Sequence, residues 1–129
     1  MDTIDQAARY WREMANESLE AAKRELDAQS FNFAINRIYY ASFYIVSAAL
    51  LVRGLEFKKH SGVRAAFHKE FIKTGMLDRK WGIYYDQLYA SRNRGDYFAL
   101  IKFEQEYVED KYALCIEFIK EMERFLKNK

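Results

Sequence analysis

The sequence contains no proline in 129 residues, where average usage of about 5% would give about six. Five glycines are all that punctuate it. A chain of this length with so few turn formers reads as all-helical. One cysteine, Cys115, excludes an internal disulfide. Together with the lack of a charged-then-apolar leader, this fits a reducing, cytoplasmic setting. Long apolar runs are missing too. The longest charge-free stretch, between Arg37 and Arg53, is fifteen residues. That is too short to cross a bilayer comfortably and the right length for a buried core helix, so no membrane span is expected.

The familiar chemical motifs are absent as well. There is no Gly-x-Gly-x-x-Gly and no phosphate-loop pattern. No Glu-x-x-His occurs, and His60 and His68 have no cysteine or histidine neighbours at ligand spacing, so neither a metal nor another cofactor is expected. No Ser/His/Asp arrangement is readable, and Cys115 falls on an apolar helical stripe, where a buried structural thiol is the ordinary reading.

What is present is a core-forming composition. The chain is 50% hydrophobic, 31% charged and 17% aromatic, which excludes disorder and suits one domain over residues 1–129. Net charge is +2, but its distribution is uneven. Residues 53–94 hold ten Lys/Arg against four Asp/Glu, whereas acidic residues outnumber basic ones on either side. A mid-chain basic excess hints at an anionic partner, and a lysine-rich solvated surface would explain it equally.

Periodicity predicts five helices. The first, about 4–28, follows the capping-box pattern Thr3-Ile-Asp-Gln6 and carries Ala8, Trp11, Ala15, Leu19, Ala22 and Leu26 on one stripe. Ser30 reads as the N-cap of a second helix, apolar nearly all round and therefore central, which Gly54 ends. Ser61 reads as the cap of a short helix over 62–73, closed by Gly75. A fourth runs from Asp78 to Asn93, ended by Gly95, and a fifth covers roughly 104–127. Four long helices and a short one, joined by brief loops, make an antiparallel up-and-down bundle.

Three features stand out from this frame. Arg92 continues the apolar row Trp81, Tyr84/Tyr85, Leu88, and Arg37 stands one turn before Tyr40. An arginine in such a row is either paired, for instance with Asp96, or faces an anion whose oxygens its fork can grip. Lys58-Lys59-His60-Ser61 precedes a helix N-terminus and forms a secondary candidate anion site. Tyr39, Tyr40, Phe43 and Tyr44, with Tyr84, Tyr85 and Tyr89, are either core, interface or base-stacking platforms. Twenty-two aromatic rings in a small bundle also favour a homodimer joined through the tyrosine rows of helices two and four.

Asn36-Arg-Ile-Tyr-Tyr-Ala-Ser-Phe43, Lys59-His-Ser-Gly-Val63 and Arg92-Asn-Arg-Gly-Asp-Tyr97 resemble, in order and spacing, the HEPN domain (higher eukaryotes and prokaryotes nucleotide-binding). The likeness is to its small stand-alone prokaryotic branch and covers nearly the whole chain. The resemblance implies a dimerising four- or five-helix bundle with a polar cleft between helices two and four. It implies a possible minimal nucleotidyltransferase partner, as in toxin–antitoxin-like pairs. Many members are metal-independent endoribonucleases, whose motif is an arginine followed after four to six residues by a histidine. Here Arg92 matches, but Tyr97, Phe98 and Ala99 occupy the histidine positions. Arginine and an ordinary tyrosine are poor proton-transfer groups near neutral pH. The expected function is thus a non-catalytic nucleotide- or RNA-phosphate-binding module using Arg37, Tyr40, Arg92, Asn93, Arg94, Asp96 and Tyr97. The alternative is a divergent ribonuclease using Arg92 with Tyr97 or His60.

Overall fold

A computed structural model describes the backbone of residues 3–97 and 102–127, and the side chains of residues 3–92 and 102–126. Among the described residues there are five α-helices and no strands. They are α1 (Thr3–Asp27), α2 (Phe31–Val52), α3 (His60–Phe67), α4 (Arg79–Tyr97) and α5 (Gln105–Lys127). The all-helical bundle expected from the sequence is the fold observed.

α2 is the axle of the bundle, packed by α1, α3, α4 and α5. By length and composition it could span a bilayer, but more than half of its apolar window is buried inside the protein. Its closest companion is α1. α1 buries Ala8, Ala15 and Ala22, and α2 buries Ala34, Ala41 and Ala48, each set at seven-residue spacing. Small residues every second turn let two helix backbones approach closely. The larger volume lies on the other side of α2, where Tyr39, Phe67, Phe71, Tyr85 and Phe118 are fully enclosed.

The helix ends show where local signals held. Ser30 caps α2, with its carbonyl accepting from the Ala34 amide at 2.9 Å. Gly54, at φ +79°, follows the C-cap, and Leu55 N–H closes back on Leu50 O at 3.0 Å. This is the left-handed turn that glycine makes at least cost. Thr3 lies inside α1 rather than before it.

Two further expected boundaries are corrected. Ser61 does not cap α3: the helix starts at His60, and Lys59 is the N-cap through its carbonyl, 3.1 Å from the Val63 amide. The reason is tertiary, because the His60 ring is anchored on α2 and draws its own residue into the first turn. The segment then widens into a π-helical turn, His68–Ile72, with Lys73 N–H on His68 O at 2.8 Å. Gly95 does not end α4, which continues to Tyr97. One interior glycine costs a helix about 1 kcal/mol, too little to stop it.

Candidate functional site

The face of α2 left uncovered by the core carries Arg37, Tyr40 and Tyr44, spaced three and four residues apart. With Met14, Glu17, Ser18 and Ala21 of α1 they line a shallow groove of about 580 Å³. Ser18 Oγ donates to Arg37 O at 2.8 Å and pins the two helices at this point.

α4 delivers the second cation. Arg92 Nη2 reaches the Tyr40 hydroxyl at 3.4 Å. Its guanidinium carbon lies 5.7 Å from the centre of the Tyr39 ring and 5.8 Å from that of Tyr40. A guanidinium held against two phenol rings keeps its charge while shedding part of its hydration. Of the residues inferred from sequence, Tyr40 thus meets Arg92 directly and lines a groove with Arg37.

α3 adds what the sequence did not place. His60 Nδ1 is 2.8 Å from the Tyr39 hydroxyl, its ring stacks on Phe43 at 4.4 Å and 18°, and it meets the Tyr40 ring edge-on at 5.6 Å. Arg92 and His60 thus rest on the same pair of tyrosines. Tyr39 is fully buried, and burial raises its hydroxyl pKa well above the ordinary tyrosine range although Arg92 pulls the other way. It stays a neutral phenol. Burial likewise raises Tyr44.

The remaining expected residues divide. Lys58, Lys59 and Ser61 are exposed, and Lys58 and His60 line a cavity separate from the arginine groove. The side chains of Asn93, Arg94, Asp96 and Tyr97 lie outside the described residues, and so does a pairing of Arg92 with Asp96. Tyr84 and Tyr85 are buried within this chain and are core rather than a docking row. Among the described residues no three His, Cys, Asp or Glu side chains gather as a metal would require.

A second charged cluster lies beside this site and ties helices together. Asp86 Oδ1 accepts from Arg64 Nε and pairs with His68 Nε2, both at 2.8 Å. Burial alone would raise the Asp86 pKa, but the hydrogen bonds from Arg64 and His68 outweigh it and hold the carboxyl below its usual range. Arg64 also covers the Tyr89 ring at 5.1 Å. Deeper still, Ser42 Oγ meets the Tyr84 hydroxyl at 2.8 Å and Cys115 Sγ at 3.6 Å. Burial pushes the Cys115 thiol up to about 11, so it is a protonated core thiol, as its stripe position predicts.

Comparison with known proteins identifies the family. A family model described as the HEPN domain matches residues 8–127. A UPF0332 protein of Thermotoga maritima is 42% identical over 99% of this chain and 97% of its own. A Methanocaldococcus jannaschii protein named "Putative toxin MJ0142" is 42% identical over 78% of this chain and 73% of its own. A second protein of that organism, also named as a toxin, is 35% identical over 66% of this chain and 63% of its own. With the family model matching residues 8–127 and a relative 42% identical almost end to end, the chain belongs to the HEPN domain family.

Proposed function

We propose that this toxin-like HEPN domain binds a phosphate-bearing ligand, a nucleotide or an RNA strand, in the cleft between α2 and α4. In this reading it works without cleaving RNA by the family's route. The carrying observation is that Arg92 reaches the hydroxyl of Tyr40, which itself lines one groove with Arg37. Guanidinium forks and a hydroxyl are groups that can hold phosphate oxygens, and the forks carry their charge without titrating. The histidine that would move a proton in the family's motif has no counterpart after Arg92. We further propose that the protein acts in the cytoplasm as a homodimer, paired with a minimal nucleotidyltransferase.

The test is Arg92→Ala, followed by binding of a short labelled RNA and by thermal melting. Loss of a hydrogen bond to a charged group costs about 1.5–3 kcal/mol, so affinity should fall about tenfold or more while the melting temperature changes little. A steep fall in melting temperature, with binding per folded molecule unchanged, would make Arg92 a structural residue and overturn the reading.

One observation favours a second reading. His60 shares Tyr39 and Tyr40 with Arg92, so an imidazole, a side chain that can carry a proton in catalysis, stands close to the phosphate-binding cation. A ribonuclease using Arg92 and His60 would cleave RNA without divalent metal and lose that activity in His60→Ala. A merely binding domain would leave the RNA intact in both proteins.

A further inference from the structure

Beside the Phe43–His60 stack lies a partly enclosed cavity of about 520 Å³. This is within the ordinary range for small-molecule sites, roughly 300–1,000 Å³. We infer that the cavity receives the nucleobase of the ligand whose phosphate the Arg37–Arg92 cleft holds. The inference rests on that phosphate-binding reading.

The walls favour a flat aromatic occupant over an aliphatic one. Trp11, Phe43, Phe57 and His60 all line the space, and Ser47, Glu56 and Lys58 add polar groups among the aliphatic side chains. A base has a π-face for the rings and edge donors and acceptors for the hydroxyl and ammonium; an acyl chain would use neither. The walls are also set in advance. The His60 ring is fixed by Phe43 and by the Tyr39 hydroxyl, and Trp11 by its stack on Tyr44 at 5.4 Å and 27°. A rigid aromatic wall loses little freedom when a ligand arrives.

Adjacency to the arginine groove is what commits the occupant. Tyr44 lines the arginine groove and Trp11 lines the cavity, so their stack is the partition between the two. His60 lines the cavity on one side and touches Tyr39 and Tyr40, the rings beneath Arg92, on the other. A ligand with an anion at one end and a planar ring at the other would span these neighbouring spaces.

The experiment follows Trp11 emission, with Trp11→Phe as the spectroscopic control because Trp81 is buried elsewhere in the core. Adenosine, adenosine monophosphate, ribose 5-phosphate and a six-nucleotide oligoadenylate are titrated in turn. Adenosine should quench saturably, and the monophosphate should bind on the order of tenfold more tightly than ribose 5-phosphate, in line with stacking on aromatic side chains. Filling the cavity with Ser47→Phe, or with Leu51→Phe should the first variant not fold, should remove that advantage and leave ribose 5-phosphate binding within about twofold. Saturation by the monophosphate alone identifies a free nucleotide; a requirement for the hexamer identifies a base within a strand. Equal binding of the monophosphate and ribose 5-phosphate, with no quenching by adenosine or the hexamer, would overturn the cavity assignment. Failure of the phosphate reading looks different: adenosine would still quench, and Arg92→Ala would leave ribose 5-phosphate binding unchanged.

Discussion

Arg92 shows what a single side chain gains from its surroundings. Its fork lies against two phenol rings, one a neutral, buried phenol and the other presenting its hydroxyl to the guanidinium. Phosphate oxygens would meet a charge already partly stripped of water and aimed by stacking. Cys115 illustrates the opposite outcome for a reactive side chain. Full burial raises its pKa to about 11, so at pH 8 the thiol is protonated as well as inaccessible. A thiol reagent at pH 8 should leave the native protein unlabelled and modify one group per chain once denaturant is added, as followed by absorbance or mass. Prompt labelling of the native protein would mean that the α2–α5 seam opens easily.

At the scale of elements, the site depends on two seams. α3 and α4 are joined by the Arg64–Asp86–His68 cluster. Because the folded-state pKa of Asp86 is depressed, its contribution is complete above the ordinary carboxylate value of about 3.9 and is lost as pH falls through the lower folded value. Melting temperature followed downward from pH 6 should therefore fall below about pH 4, and Asp86→Asn should be less stable at pH 6 and show a shallower acid decline. The other seam is the alanine contact of α1 with α2. Ala15 is wholly buried there, so Ala15→Leu should cost about 1–3 kcal/mol in chemical denaturation by forcing the helices apart. If the variant is as stable as the parent, α1 is not closely seated on α2.

The whole molecule was legible from sequence to different depths. Helix content and the central place of α2 follow from apolar periodicity, which is local and reads directly. The left-handed turn at Gly54 is also local. The start of α3 was not legible, because a tertiary contact of His60 outweighed the capping preference of Ser61. Nor was the nearness of His60 to Arg92. It arises because the segment 53–59 leads α3 back across α2, and no spacing along the chain encodes that return. Arg37 and Arg92 stand out in the sequence as charges on apolar rows and Tyr40 as one of an aromatic row; the structure sets Arg92 against Tyr40, which lines a groove with Arg37.

The aromatic surplus on which the homodimer was argued is partly absorbed by the core, since Tyr39, Tyr84 and Tyr85 are buried within one chain. Phe33 at 63% exposure, with half-buried Tyr40 and Tyr44, keeps an apolar stripe of α2 available to a second copy. Light scattering at micromolar concentration should give twice the 15.4 kDa chain mass. A result at the chain mass would rule the dimer out.

The central claim, that the α2–α4 cleft holds phosphate without cutting RNA, meets its most direct test in one titration read two ways. Labelled RNA is titrated with the protein at pH 7 in chelator, at several salt concentrations, and each sample is then run on a denaturing gel. The account predicts binding that weakens as salt rises, because part of it is counterion release. It predicts about tenfold weaker binding for Arg92→Ala, and intact RNA in every lane. Metal-independent cleavage that Arg92→Ala or His60→Ala abolishes would contradict it.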